Sequence, residues 1–223
     1  MKSTNPSSES AAGRRPYEMA ARADAVSATR QRIAEEAMRL FIAQDYDDVT
    51  LAAIATAAGV SHQTVLNHFR NKEGVVRAAA EILGDETVEA RNAARPGDVA
   101  GAVAALVGEY ERFGDANVRW ALTADRLASL APILDEARAN HQRWLVEMFD
   151  SSLPRSAPAR RSVVQQLHVA TDVYSWKLLR RDLALDRADT ERVLTEMVRA
   201  ILAAAGADAP SRAATKSNPR RSR

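Results

Sequence analysis

The 223-residue chain contains no cysteine. That excludes a disulfide framework, thiolate catalysis and cysteine-ligated zinc, so the fold needs no oxidising compartment. Aromatic residues make up 5% of the chain, with nine glycines and eight prolines, and no proline lies between Pro16 and Pro96. Strand-like alternation is scarce, while alanine, arginine, leucine and glutamate dominate, which predicts an all-α fold. The stretch from Val49 to Phe69 lacks Asp, Glu, Lys and Arg, yet it carries Thr50, Gly59, Ser61, His62, Gln63, Asn67 and His68. That is too many polar groups for a membrane span. Arg14-Arg15 is followed by Pro16-Tyr17-Glu18 and no apolar core, unlike a twin-arginine signal. A soluble, cytoplasmic protein without a membrane partner is expected.

Catalytic patterns are also missing. Histidines at 62, 68, 141 and 168 form no i, i+4 metal pair and no His-Glu-x-x-His run. The segment Gly59-Val60-Ser61-His62-Gln63 lacks the last glycine of a nucleophile elbow and follows a helix rather than a strand. No phosphate loop or dinucleotide fingerprint is present, so neither an enzyme, a cofactor nor a metal is expected. The formal charge of +2 is unevenly spread: residues 207–223 carry +4 and residues 1–25 carry +1, leaving −3 for 26–206. The basic character therefore belongs mostly to a tail and does not by itself mark a nucleic-acid surface.

Low content of large apolar side chains predicts a flexible arm over 1–25 and a disordered basic tail over 207–223. Between them, Ile33, Ala37, Leu40 and Phe41 make one face of a first helix at about 26–44. Thr50 caps a short second helix and Gly59 closes it, Ser61 caps a third over 61–68, and Asn71 caps a fourth running to about 93. After the break at Arg95-Pro96-Gly97-Asp98, five more helices are predicted at about 98–112, 115–128, 132–153, 158–181 and 187–205. This gives about nine helices: a helix-turn-helix domain over 26–71, then a ligand-binding and dimerisation domain over 72–206 that begins with a linking helix, 72–93.

Residues 50–73, TLAAIATAAGVSHQTVLNHFRNKE, are the informative segment. Ala58-Gly59-Val60-Ser61 is too tight a turn for antiparallel packing, so the two short helices must cross steeply, as in a helix-turn-helix whose second helix enters the major groove. Gln63 and Asn67 suit adenine edges, Thr64 a base or a thymine methyl, and His62 or His68 phosphates or bases.

Across about residues 28–83 the chain resembles the tetracycline-repressor (TetR) family of transcriptional regulators. The likeness rests on Leu40-Phe41, Thr50-Leu51, Ile54-Ala55, Ala58-Gly59-Val60-Ser61, Thr64, His68-Phe69 and Lys72-Glu73. It implies a homodimer with an amino-terminal reader of double-stranded, palindromic DNA and a carboxy-terminal ligand domain. By position it implies that Thr50 donates to a phosphate, that Ser61 to Asn67 face the groove, and that Lys72 holds backbone phosphate. The family commonly has tyrosine where this chain has Leu66, which keeps the packing and removes a phosphate donor. One fewer backbone contact is therefore expected, or a substitute such as His68. With no Arg or Lys on the recognition helix, Arg30 and Arg32, or an arm bearing Arg14, Arg15 and Arg22, are the candidates for phosphate or minor-groove contact.

In the second half, Val169, Val173 and Leu183, together with Val193, Leu194, Met197, Val198 and Ile201, form apolar stripes that could pair two subunits as a four-helix interface. Tyr110, Phe113, Trp120, His141, Trp144, Met148, Tyr174 and Trp176 are candidates for lining a small-molecule pocket, with ordinary core as the competing role. A repressor released by such an effector is the leading expectation. The alternative is a small-molecule-binding or scaffolding α-protein that has lost sequence-specific DNA binding, for which the neutral charge balance of 27–77 and Leu66 speak.

Overall fold

A computed structural model describes the backbone of residues 9–207 and the side chains of residues 22–206; the basic tail and the side chains of Arg14 and Arg15 lie outside the described residues. The described residues form helices and no strand: α1 (Glu9–Ala43), α2 (Leu51–Ala57), α3 (His62–Phe69), α4 (Lys72–Arg91), α5 (Val99–Arg126), α6 (Ala131–Phe149), α7 (Ala157–Thr171), α8 (Val173–Lys177) and α9 (Arg187–Ala207). A 3₁₀ turn, Asp150–Ser152, follows α6, and α8 runs on into a π-helical turn, Leu178–Asp182. None of these helices is long and apolar enough to cross a membrane.

The chain divides into two compact units, one holding residues up to 86 with 122–133, the other 87–121 with residues from 134 onward. The division falls within α4 and within α5, whereas the sequence placed it at 71–72. In the first unit, Ile33, Ala37 and Phe41 of α1 are buried with Ile54 and Ala55 of α2, Val65 and Phe69 of α3, and Val75, Val76 and Ala79 of α4. These positions recur at helical spacing, and their removal from water gives short α2 and α3 the stability that isolated helices of that length lack. In the second unit, Leu106, Tyr110, Leu145, Phe149, Leu167, Trp176, Leu194 and Val198 belong to one core.

Three boundaries differ from expectation. Helix α1 already begins at Glu9, within the segment expected to be an arm. No break occurs at Phe113-Gly114: α5 runs on through it, and Gly114 serves packing, because a Cβ there would collide with the indole of Trp176. The single helix expected over 158–181 is interrupted at Asp172, whose extended backbone and side chain cap α8 by accepting from the Tyr174 N–H at 2.9 Å.

Candidate nucleic-acid interface

Local capping builds the α2–α3 corner. Thr50 Oγ1 accepts the Ala53 N–H at 3.0 Å at the start of α2. At its end, Val60 N–H donates to Ala55 O and Gly59 N–H to Thr56 O, with Gly59 at φ 64°. That is the Schellman closure, in which glycine takes the left-handed position without a Cβ penalty. Ser61 Oγ then accepts the Thr64 N–H at 3.0 Å and lies 2.8 Å from the Thr64 hydroxyl, so the cap of α3 stands two residues after α2's closing glycine.

Helix α3 turns Val65 and Phe69 into the core and leaves His62, Gln63 and Asn67 exposed, with Thr64, Leu66 and His68 half-buried. Gln63 Nε2 donates to Asn67 Oδ1 at 3.0 Å, so these amides, one turn apart, satisfy each other on an exposed face. Leu66 is half-buried and supplies no hydroxyl, as its sequence implied.

Three of the basic candidates have partners inside the unit. Arg30 donates to the His68 carbonyl at 3.0 Å and stacks over the Phe69 ring at 4.3 Å. Arg32 Nε donates to the Ala58 carbonyl at 3.0 Å. Both guanidinium groups thus satisfy carbonyls at helix ends, where the macrodipole favours a cation. The Lys72 ammonium donates to the Tyr46 carbonyl and stands 3.9 Å from the centre of the Tyr46 ring. Burial lowers its pKa despite the opposing charges of Asp47, Glu73 and Asp48. The sequence pointed to these cations as candidates for phosphate contact and did not reveal them as braces. No motif links residues 26 or 38 positions apart.

The aromatic candidates of the second unit separate. Tyr110, Phe113, Met148 and Trp176 are buried, Trp120 and Trp144 half-buried. Tyr110 donates to the Thr171 carbonyl at 3.1 Å, and Trp176 Nε1 donates to Glu111 at 3.1 Å. Tyr174 is a correction: at 44% exposure it is open to solvent, unlike the lining of an enclosed cavity.

His141 lies in a buried polar chain that the sequence did not reveal. The Arg91 guanidinium pairs with Glu109 at 2.6 Å and donates to His141 Nδ1 at 3.0 Å. An arginine only donates, so His141 Nδ1 must be bare and its proton must sit on Nε2. Nε2 donates to Thr171 Oγ1 at 2.9 Å, which donates to the Leu167 carbonyl at 2.7 Å. Burial, then the nearby Arg91 and His168, push the His141 pKa down to about 3. Burial likewise pushes the Glu109 carboxyl above its ordinary range, with Arg91 opposing. Among the described residues, no three potential ligands converge to hold a metal.

The interface candidates also divide. Val169, Leu183 and Met197 are exposed, at 68%, 58% and 41%. A shallow groove between α7 and α9 is lined by Val169, Ala170, Met197 and Ile201 with Ser162, Gln165 and Gln166. Val173, Val193 and Ile201 are partly buried against the protomer's own core. Leu194 and Val198 are corrections: both are 0% exposed, because the inner side of α9 packs within its own unit, and they have no area to offer a partner.

Two short helices joined by a glycine-closed corner, the second with an apolar inner and a polar outer face, define a helix-turn-helix module of the DNA-reading class. Residues 33–79 match the family model of bacterial regulatory proteins, tetR family. The HTH-type transcriptional regulator AlkX of Mycobacterium tuberculosis is 32% identical over 79 residues, 35% of this chain and 37% of that protein. The regulator SrpR of Pseudomonas putida is 46% identical over 50 residues, 22% of this chain and 24% of its own. The chain thus spans, in these matches, 37% and 24% of the lengths of the two curated relatives. Among solved structures, a tetR-family transcriptional regulator from Streptomyces coelicolor shares the fold at TM-score 0.67 and 21% identity, over 81% of this chain and 83% of that one. The multidrug binding protein EbrR, solved with imidazole, does so at TM-score 0.56 and 20% identity, over 75% and 88%. Residues 33–79 are therefore similar to the amino-terminal domain of the tetR family, and the chain shares the all-helical fold of solved TetR-family regulators.

Proposed function

We propose that the protein is a sequence-specific DNA-binding transcriptional regulator that acts as a homodimer on a palindromic operator and is a repressor released by a small-molecule effector. The observation that carries this reading is the outer face of α3: His62, Gln63 and Asn67 exposed on a helix whose other side is anchored by Val65 and Phe69. The amide pair of Gln63 and Asn67 has the donors and acceptors for adenine edges once each releases the other. The Thr50 and Ser61 hydroxyls accept the capping N–H groups; Thr50 keeps its O–H donor, and the Ser61–Thr64 hydroxyl pair keeps one between them, at the amino-terminal ends of α2 and α3, where phosphate is favoured. With Arg30 and Lys72 engaged inside the unit, their expected phosphate contacts require those internal bonds to be exchanged.

Homodimerisation is supported by the exposed Val169, Met197 and Leu183, since a palindromic site needs two readers one helical turn apart. The effector reading is supported by fold likeness to EbrR and by the second unit, which holds both an apolar core and the buried polar chain of Arg91, Glu109 and His141. An effector would act by shifting the population of two reader spacings through α4, whose residues belong to both units. In this reading the chain is not an enzyme.

Selection of bound fragments from genomic DNA by the purified chain, followed by mobility shifts, tests the proposal. Gln63→Ala and Asn67→Ala should each weaken binding by about 1–3 kcal/mol and relax preference at one base position. A chain that selects no sequence at all would instead favour the scaffolding reading.

A further inference from the structure

The end of α3 carries a feature that the reader module does not explain. Arg70, the residue that closes α3, has φ 64° and ψ −44°, and the Asn71 N–H donates to the Phe69 carbonyl across it at 2.7 Å. This is a γ-turn of the positive-φ kind, strained for any residue with a Cβ. The same φ of 64° ends α2, but there glycine, Gly59, occupies the position. The turn at Arg70 is held from both sides. Arg70 N–H donates to Leu66 O, and Gly74 leaves room for the Phe69 carbonyl, which a Cβ at 74 would strike.

The Arg70 side chain is exposed, and among the described residues no hydrogen bond, ion pair or ring contact engages its guanidinium. In contrast, Arg30, Arg32 and Lys72 around α3 give their N–H groups to His68, Ala58 and Tyr46 carbonyls. Residues 61 to 69 include no Lys or Arg. An eight-residue helix rises about 12 Å, equal to the width of the major groove, and no point within such a groove is more than roughly 6 Å from a phosphate wall. An arginine side chain covers that span.

We propose that Arg70 is a DNA-backbone ligand: its guanidinium grips a phosphate at the groove wall beside the carboxy-terminal end of α3 and fixes the depth and angle of the reading face. It positions and does not read. This inference rests on the DNA-binding reading above. It accounts for an arginine where glycine would relax the backbone, and for a recognition helix without cations of its own.

The test uses the full chain and a fluorescent duplex that it has itself recovered from random-sequence DNA. Arg70→Gln and Arg70→Gly should each weaken binding at low salt by about tenfold, the range of a charge-assisted hydrogen bond. They should flatten the dependence of log K on log salt by about 0.9 per subunit. Discrimination between the selected duplex and a scrambled one should be unchanged, and Arg70→Lys should keep the wild-type slope. Neither neutral variant should melt below wild type, because the guanidinium holds nothing among the described residues. Wild-type affinity and slope in Arg70→Gln would overturn the proposal, as would weakened binding that tracks a lowered melting temperature. If the wild-type chain recovers no duplex, the DNA-binding reading itself falls, an outcome distinct from a wild type that binds beside an Arg70→Gln variant that binds equally well.

Discussion

Gly114 and Trp176 meet where backbone and indole must share space. The ring fills the volume in which any other residue at 114 would place its Cβ, and Trp176 is 0% exposed with its Nε1 held by Glu111 at 3.1 Å. A ring so enclosed cannot move aside without breaking that bond or displacing its neighbours. Gly114→Ala should lower the unfolding free energy by about 1–3 kcal/mol, despite alanine's higher helix propensity. Urea titration checks this. A gain in stability would mean that the indole is free to shift. The carboxylate that holds the ring is itself held: Arg180 binds Glu111 through two N–H donors, at 2.6 and 3.0 Å, and those hydrogen bonds hold the Glu111 carboxyl below its ordinary pKa against the upward pull of burial.

At the scale of elements, α2 and α3 are too short to persist alone, and their caps and their seat on α1 hold them. Gly59 has open space where a Cβ would go, so Gly59→Ala tests backbone conformation with no steric collision. It should cost about 1 kcal/mol through the left-handed φ alone. Ser61→Ala should cost about 1 kcal/mol by removing the acceptor for the Thr64 N–H. The two together should cost more than either, because they act on opposite sides of one corner. Denaturant midpoints should fall with unchanged slope. A changed slope would show that the unit comes apart from the rest of the chain before global unfolding.

At the scale of the whole molecule, the buried chain from Arg91 to Thr171 ties stability to pH. His141 has a folded pKa of about 3 against an ordinary value of 6.5, so the unfolded chain takes up its proton first as acid is added. Stability from the neutral ring is fully present above pH about 6.5 and declines toward pH about 3, at up to about 1.4 kcal/mol per unit. Glu109, with its carboxyl pushed up by burial, acts the other way on the same descent, because the folded state takes up that proton before the unfolded chain does. The wild-type slope is the difference of the two. His141→Gln offers an amide oxygen to Arg91 and an amide donor to Thr171 while removing the titration. It should flatten the decline between pH 6 and 4, as measured by urea unfolding at a series of pH values. An unchanged profile would mean that other groups govern acid sensitivity.

The all-α class, the four helices of the reader, their caps at Thr50, Ser61 and Asn71, and the closing glycine at 59 were legible in the amino-acid order, because each follows from contacts a few residues apart. So was the polar set of α3, His62, Gln63, Thr64 and Asn67, whereas the seating of Phe69 in the core came from the structure. What tertiary structure alone decided depends on residues remote in sequence. Arg30, Arg32 and Lys72 became braces once carbonyls 38, 26 and 26 positions away came within reach. Gly114 became a packing site rather than a break when Trp176 reached it, and Leu194 and Val198 became core rather than interface when α9 was seated. Arg91, Glu109, His141 and Thr171 joined one hydrogen-bonded chain from four helices. Periodicity names a face and a cap names an end, but neither carries information about which distant group will stand opposite; burial of the whole chain settles that.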